Sequence, residues 1–213
     1  MHLLWNTSRR VMAGLSPALP FAKLIIPRPV RRGISKHFIS KVILHNPDRV
    51  FMRDVIIPYI LRRGASKVLS VGVRDYTVEI TDLLTKGGAE VWTLDIDPKA
   101  QAWGVPGRHI VGDAMRLDEI EGMHGFSCIL FNGVLGYGIN TPADIGRTLT
   151  ALSAVLPADG LLILGWNVDR IPDPAQRVEF GRFRHLQDEA LPSRATFPGS
   201  THVYDFLEPA DAT

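Results

Sequence analysis

The chain has 213 residues, of which 46% are hydrophobic and 22% are charged, and these values exclude a wholly disordered or fibrous protein. Its length suits one domain with a substantial core plus an appendage. The formal net charge is +2, but residues 1–67 carry thirteen basic and two acidic residues, whereas the remainder carries eleven basic and twenty acidic ones. The net charge is therefore +11 over residues 1–67 and −9 over the remainder. This asymmetry indicates that the basic part contacts something anionic, such as a membrane surface, nucleic acid or the rest of the chain.

The first 47 residues form a basic, proline-rich arm in which short apolar segments alternate with arginine and lysine. Such interleaving suits contact with an anionic membrane face, but it is more typical of an arm that packs over the rest of the chain or joins copies of it. Gly14, Pro17 and Pro20 interrupt the first apolar stretch, which argues against a cleaved signal peptide. No run approaches the roughly eighteen apolar residues that a bilayer-spanning helix needs. The sequence thus predicts a cytoplasmic protein, with peripheral membrane contact through the arm as an open alternative.

Strands and helices alternate from residue 48 to residue 164. Apolar residues at three-to-four spacing predict a first helix from Asp48 to Arg63, with Asp48 as its cap and a kink at Pro58. Apolar stripes predict two further helices, from Tyr76 to Leu84 and from Ile145 to Leu156, the second opened by a capping Thr141. Short apolar runs predict five strands: Lys67 to Val71, Glu90 to Leu94, His109 to Val111, Cys128 to Phe131 and Leu161 to Leu164. This alternation predicts a parallel sheet with right-handed crossovers.

The pattern changes after Trp166. Residues Ala175 to Ala190 are predicted to form a helix, and Thr201 to Leu207 an extended strand. Since mixed sheets commonly carry antiparallel strands at an edge, we expect the last strand to join the sheet in that way. The predicted fold class is therefore α/β: a doubly wound, mostly parallel sheet with an antiparallel C-terminal strand, in a domain over residues 48–213 that follows the arm of residues 1–47.

Small or polar residues end the first four predicted strands. They are Gly72, Asp95, Asp113 and Asn132. Because ligands of open parallel sheets lie across the carboxyl ends of the strands, these positions predict a site for an adenosine-containing ligand. Asp95 follows Gly72 by about twenty residues, the spacing at which a carboxylate accepts hydrogen bonds from ribose hydroxyls.

Each of the three polar side chains also has a purely structural interpretation. Asp95 would then open the turn at Asp97-Pro98, Asp113 would cap a short helix, and Asn132 would satisfy backbone groups in a turn. The four positions taken together favour the ligand site more strongly than any one of them does.

The order and spacing of these elements resemble the class I S-adenosylmethionine-dependent methyltransferases over roughly residues 48–207. The resemblance implies a Rossmann-like sheet and S-adenosylmethionine as cofactor. It also implies that Gly72 lies beside the methionine part, Asp95 at the ribose, Asp113 at the adenine edge and Asn132 near the methyl group. The cofactor-binding residues that it implies are Gly72, Asp95, Ile96, Asp113, Ala114 and Asn132.

The glycine-rich turn departs from the pattern of that family. Ser70 stands where an acid is usual, and Arg74 and Tyr76 stand where further glycines are usual. A dinucleotide pyrophosphate needs close approach to a second glycine, so these two side chains argue against NAD. S-adenosylmethionine has no phosphate and tolerates the change better. Arg74 would pair either with the carboxylate of the methionine part or with Asp95.

The sequence favours a methyltransferase that acts on a small molecule or on a saccharide or lipid intermediate. A non-catalytic binding protein with the same fold is the alternative from another class, and the altered glycine turn favours it. A nucleic-acid methyltransferase is a further alternative, against which stand the acidic body and the absence of an Asn-Pro-Pro-aromatic motif after the fourth strand. No cluster of metal ligands occurs in the sequence.

The sequence does not identify a catalytic base. Methyl transfer to a hydroxyl usually needs a group that removes the proton, and the candidates are Tyr137, His185 and His202. The single cysteine, Cys128, lies in an apolar run and is predicted to be buried and inert.

Overall fold

The computed structural model describes residues 45–210, so the arm predicted over residues 1–47 lies outside the described part except for its last three residues. Within residues 45–210, no helix combines the length and hydropathy that crossing a bilayer requires. The described residues fold around one mixed sheet. Its strands are β1 (Lys67–Val71), β2 (Glu90–Asp95), β3 (His109–Val111), β4 (Cys128–Asn132), β5 (Leu161–Asn167), β6 (Phe183–His185), β7 (Arg194–Thr196) and β8 (His202–Pro209).

The strand order is β3-β2-β1-β4-β5-β8-β6, with β7 also paired to β8. The first five strands are mutually parallel, whereas β8 is antiparallel to β5, and β6 and β7 are antiparallel to β8. This is the doubly wound, mostly parallel sheet with an antiparallel C-terminal strand that the sequence predicted. The order reverses between β1 and β4, which is the place where ligands bind in such sheets.

The helix before β1 runs without a break through α1 (Pro47–Phe51), a π-helical turn (Met52–Ile56) and α2 (Ile57–Arg62). Pro58 cannot donate the helical hydrogen bond, and the predicted disturbance takes the form of the wider π turn just before it. The predicted cap is shifted, because Asn46 occupies the cap position and Asp48 is buried inside the first turn.

Two further α-helices lie within residues 45–210, namely α3 (Val78–Lys86) and α4 (Pro142–Val155). The predicted cap of α4 is confirmed, since the Thr141 hydroxyl accepts a hydrogen bond from the backbone N–H of Asp144 at 3.2 Å. Side chains alternate between the two faces of the sheet. Ile129 and Leu164 pack in the core on the α4 side, while Cys128 packs with α2 and α3 on the other side.

The helix predicted from Ala175 to Ala190 is wrong. That stretch contains two short 3₁₀ turns, Pro174–Gln176 and Val178–Arg182, followed by β6. Arg177 between the turns is extended, with φ −89° and ψ 143°, so a continuous helix is interrupted there. The buried Phe180, Phe183 and Leu186 recur every three residues and imitate a helical stripe, although the backbone hydrogen bonds of β6 go to the edge of β8.

Candidate functional site

An open cavity lies across the carboxyl ends of the parallel strands. The space between the residues that line it is about 750 Å³, a value that includes the open mouth. All six positions that the resemblance assigned to a cofactor line it: Gly72, Asp95, Ile96, Asp113, Ala114 and Asn132. The structure therefore brings the predicted residues together, and their contact with a cofactor stays a prediction.

Gly72 lets the turn after β1 approach the loop after β4. Its φ is +85°, a region that favours glycine. A Cβ at this position would lie 2.8 Å from Val134 Cγ2 and 2.9 Å from the carbonyl oxygen of Asn132. Any larger residue would push the two loops apart, so this glycine shapes the floor of the cavity.

Asp95 ends β2 with a buried carboxylate, which is only 5% exposed. Its Oδ2 accepts the backbone N–H of Val73 at 2.7 Å and Nη1 of Arg74 at 2.8 Å, and its Oδ1 accepts the backbone N–H of Asp97 at 2.9 Å. Of the two partners considered for Arg74, the structure shows Asp95. Asp95 thus holds the two turns beside it, as its structural interpretation requires, and it also faces the cavity.

Two apolar side chains near the ends of β2 and β3 offer a surface on which a flat apolar part of a ligand could lie beside Asp95. Ile96 is 68% exposed and lines the cavity, and Met115 lines it as well. Asp113 Oδ1 accepts the backbone N–H of Met115 at 2.9 Å, which caps the 3₁₀ helix Ala114–Glu119. The structural interpretation of Asp113 is therefore also correct, while its position keeps it in the cavity wall.

Asn132 ends β4, and its side chain points to Tyr204 rather than to backbone groups. Its Nδ2 lies 3.4 Å from the Tyr204 hydroxyl, which itself lies 3.4 Å from the carbonyl oxygen of Asp48. Its Oδ1 is buried and has no hydrogen-bond partner among residues 45–210. The oxygen occupies the place that a Cβ at Gly165 of β5 would take, so it packs against the neighbouring strand at a cost in free energy.

Arg49 is a cavity residue that the sequence did not reveal. It lies on α1, and its side chain is 13% exposed. The guanidinium carbon lies 5.0 Å from the centre of the Tyr76 ring, and Nε lies 3.4 Å from Asp48 Oδ2. Its Nη1 is buried and lacks a partner within the described part of the chain. Arg49 and Gly72 are far apart in sequence, and only the packing of α1 brings the arginine to the cavity.

The three candidates for a base occupy different places. Tyr137 lines the cavity and is half exposed, with the guanidinium of Arg170 at 4.9 Å from its ring centre. His185 and His202 are not among the lining residues. His202 is buried behind the wall, where its Nδ1 lies 3.2 Å from Asn167 Oδ1.

Cys128 is buried as predicted, and burial raises the pKa of its thiol. In residues 45–210 no group of three or more potential ligands is arranged to hold a metal ion.

His202 gives a prediction about pH. Burial, together with the positive charge of Arg49, lowers the pKa of His202 to about 3. The folded pKa lies below the unfolded value of about 6.5, so the stability due to neutral His202 is complete above about pH 6.5 and is lost as the pH falls toward 3. Between pH 6 and pH 4 we expect the wild type to lose up to about 1.4 kcal/mol per pH unit more than His202→Asn, measured by urea unfolding.

The control for this prediction is His124→Asn, which removes an exposed imidazole from a loop. Its stability should follow the pH dependence of the wild type. Parallel curves for wild type and His202→Asn would show that His202 ionises freely in the folded protein and would contradict the buried neutral state.

The sheet order and the cavity define the Rossmann-like fold of class I S-adenosylmethionine-dependent methyltransferases, as the resemblance in sequence predicted. The sequence matches no protein-family model and no curated protein. Solved structures are similar in fold. A TehB-like S-adenosylmethionine-dependent methyltransferase from Corynebacterium glutamicum has a TM-score of 0.59 and 18% identity, with 86% of this chain and 100% of that chain covered.

Two further solved structures show the same likeness. An S-adenosylmethionine-dependent methyltransferase from Clostridium acetobutylicum has a TM-score of 0.60 and 12% identity, over 84% of this chain and 98% of that chain. The 1,6-didemethyltoxoflavin-N1-methyltransferase of Burkholderia thailandensis, solved with 1,6-didemethyltoxoflavin and S-adenosylhomocysteine, has a TM-score of 0.52 and 18% identity, over 88% and 92%. At these identities the likeness establishes the fold.

Proposed function

We propose that the protein binds S-adenosylmethionine in this cavity and transfers its methyl group to a small molecule. The observation that carries the proposal is the buried carboxylate of Asp95, which lines an open cavity from the end of β2, with Gly72 beside it at the end of the neighbouring strand β1. The similar structure from Burkholderia thailandensis holds a small-molecule substrate together with S-adenosylhomocysteine, which supports the same pairing of ligands here.

The described residues fit the cofactor. Asp95 Oδ1 accepts one backbone N–H, which leaves that oxygen able to accept a ribose hydroxyl. The exposed side chain of Ile96 offers an apolar surface for the adenine ring, with Asp113 and Ala114 at its edge. Gly72 lets the turn after β1 lie against the loop after β4, and the methionine part would lie beside this turn. When bound, the cofactor supplies an activated methyl group on a sulfonium.

The remaining cavity residues would position the acceptor. Asn132 ends β4 and Tyr137 lies in the loop after it, and the guanidinium of Arg170 lies over the ring of Tyr137. In-line alignment of acceptor and methyl group is the main catalytic demand. Tyr137 is the candidate that lines the cavity, so it is the proposed residue for orienting an acceptor hydroxyl or amine.

Calorimetric titration of the full-length protein with S-adenosylhomocysteine tests the cofactor. We expect saturable binding. The absence of both a heat of binding and a thermal shift at millimolar ligand would contradict the proposal. Methyl transfer is then measured with labelled S-adenosylmethionine over a panel of small amines, phenols, carboxylic acids and saccharides. Saccharide and lipid intermediates belong in the panel because the basic arm suggests an acceptor at a membrane.

A non-catalytic binding protein is the second candidate. The observation that favours it is the ion pair between Arg74 and Asp95, because it takes Oδ2 of the carboxylate and leaves only Oδ1 for the ribose. Saturable binding of S-adenosylhomocysteine without transfer to any acceptor of the panel would support this second function.

Replacement of Arg74 shows whether its side chain competes with the ribose for Asp95 or contacts the ligand itself. The Arg74 side chain is 47% exposed, and ion pairs at such positions contribute up to about 1 kcal/mol. If Arg74 competes with the ribose for Asp95, Arg74→Ala should tighten the binding of S-adenosylhomocysteine by up to about fivefold, measured by calorimetry. Arg62→Ala, which removes an exposed arginine outside the cavity, is the control. Weakening by tenfold or more would instead mean that Arg74 contacts the ligand.

We also propose that the protein is cytoplasmic and that its basic arm, residues 1–47, contacts an anionic membrane face. The charge balance of +11 over residues 1–67 supports it. Co-sedimentation with vesicles containing phosphatidylserine should fall as salt rises. Equal binding by a chain that starts at Asp48 would contradict a role of the arm.

A further inference from the structure

Among residues 45–210, two basic side chains line the cavity, those of Arg49 and Arg74. Arg74 is engaged by its own surroundings. Its Nη1 donates to Oδ2 of Asp95 at 2.8 Å and also to the carbonyl oxygen of Val73. The guanidinium of Arg74 therefore braces the turn after β1, and Arg49 is the other source of positive charge that an anionic group of a ligand in this cavity would meet.

The positive charge of Arg49 is weakly matched by the protein groups around it. Its ion pair is with the neighbouring Asp48, and the distance of 3.4 Å between Nε and Oδ2 exceeds the roughly 2.7–2.9 Å of a strong charge-assisted hydrogen bond. Its Nη1 has no hydrogen-bond partner in the described part of the chain. The side chain is 13% exposed and lines the cavity, so part of it is accessible from there. A mostly buried cation without a close carboxylate favours an anionic ligand.

Tyr76 fixes the place of this guanidinium at the end of β1. The guanidinium carbon of Arg49 lies 5.0 Å from the centre of the Tyr76 ring, within the range of a cation–π contact. Tyr76 belongs to the 3₁₀ turn Asp75–Thr77, four residues after Gly72. It is one of the two side chains that depart from the glycine pattern in this turn. The departure is thus the feature that holds Arg49 beside the turn.

The proposed cofactor would bring a carboxylate to this end of the cavity. Its adenosine would lie at Asp95, Ile96 and Asp113, which follow β2 and β3. The next strand in the sheet is β1, about 4.8 Å from β2. The methionine part leaves the ribose through the sulfur and would reach the turn after β1, where Tyr76 and Arg49 lie. The planar fork of a guanidinium matches a carboxylate in shape and charge.

We infer that Arg49 binds the carboxylate of the methionine part of S-adenosylmethionine and that Tyr76 holds the guanidinium in place for it. The inference rests on the proposed function and adds two residues to its site. The altered turn is then another way of binding the same cofactor. It makes the protein selective for adenosine derivatives that carry the amino-acid carboxylate.

The first experiment compares two ligands. Binding of S-adenosylhomocysteine and of 5′-methylthioadenosine, which lacks the amino-acid part, is measured by calorimetry with the full-length protein. We expect the wild type to prefer S-adenosylhomocysteine by at least about tenfold, the size of one charge-assisted hydrogen bond. Arg49→Gln should weaken S-adenosylhomocysteine by about tenfold or more and leave 5′-methylthioadenosine within about twofold of wild type.

Two control variants remove the same charge elsewhere. Arg62→Gln acts at an exposed position outside the cavity on the same helical segment. Arg74→Ala removes the other basic side chain of the cavity and frees Asp95, which would affect both ligands through the ribose that they share. Both variants should keep the preference of the wild type for S-adenosylhomocysteine.

The second experiment tests the part played by Tyr76. Tyr76→Leu should weaken S-adenosylhomocysteine by about two- to fivefold, the size of a cation–π contact, with 5′-methylthioadenosine unchanged. Tyr76→Phe keeps the ring and should bind both ligands as the wild type does. In a protein that already carries Arg49→Gln, Tyr76→Leu should cause no further loss, because the two side chains act through one contact.

Unchanged binding of 5′-methylthioadenosine shows that Arg49→Gln is folded, and Arg49→Lys, which keeps the charge without the fork, should retain part of the preference. Equal affinity of the wild type for the two ligands, or an undiminished preference in Arg49→Gln, would overturn the inference. Equal weakening of both ligands in Arg49→Gln and Arg49→Lys would overturn it as well. Failure of the wild type to bind either ligand would instead contradict the proposed function, so the two failures are distinguishable.

Discussion

Asp95→Asn is expected to weaken the binding of S-adenosylhomocysteine by about 100-fold. Hydrogen bonds to an ionised group contribute about 1.5–3 kcal/mol each, and about 1.4 kcal/mol corresponds to a factor of ten in affinity. The asparagine has no charge, and one of its two positions becomes an N–H donor. That donor would face either the backbone N–H of Val73 and Nη1 of Arg74, or the backbone N–H of Asp97. Calorimetric titration measures the loss.

The matched control is Asp97→Asn, which removes an exposed carboxylate two residues further along the same turn. Asp97 caps the following 3₁₀ helix through the backbone N–H of Lys99, and the asparagine retains an oxygen for this role. Its affinity should stay within about threefold of wild type. Thermal unfolding is measured to check that both variants are folded. If Asp95→Asn binds as tightly as Asp97→Asn, the carboxylate of Asp95 serves the turns alone and the proposed ribose contact is wrong.

The positions of the cavity residues could be predicted because they follow from strand ends. A short apolar run that stops at Gly72 or at Asp95 identifies both the strand and the edge at which its last residue lies. Parallel strands then bring such residues to one edge of the sheet without further information. The position of Arg49 could not be predicted in this way, because it depends on how a helix packs across the sheet.

Two other features of the structure could not be predicted from the sequence. Arg74 had two predicted partners of equal merit, and its pair with Asp95 became visible only in the structure, because it depends on how the turn after β1 lies against the end of β2. Phe180, Phe183 and Leu186 fit a helical stripe, yet they lie in a 3₁₀ turn, a strand and a loop. The exposed backbone edge of β8 needs hydrogen-bond partners, and pairing with β6 satisfies it at the expense of the local helical pattern.

The ion-pair cluster of the antiparallel strands gives the largest predicted change in stability. Asp205 on β8 is 0% exposed. Arg194 of β7 binds it through Nε at 2.6 Å and Nη2 at 3.1 Å, and Trp166 Nε1 donates to it at 2.9 Å. Removal of one partner leaves a buried charge uncompensated. We therefore expect Arg194→Met to lower the free energy of unfolding by about 3–5 kcal/mol, measured by urea denaturation at pH 7.

Asp173→Asn is the control, because Asp173 binds the outer side of the same guanidinium at 2.6 Å and 2.9 Å and is partly exposed. It leaves the pair between Arg194 and Asp205 intact and should cost about 1 kcal/mol or less. The double variant Arg194→Met/Asp205→Leu should recover much of the loss, because it removes both the charge and its need for a partner. A loss below about 1 kcal/mol in Arg194→Met would show that Asp205 is satisfied without the arginine. The antiparallel strands would then be held by backbone pairing and the aromatic core, and the cluster would be incidental to the stability of the domain.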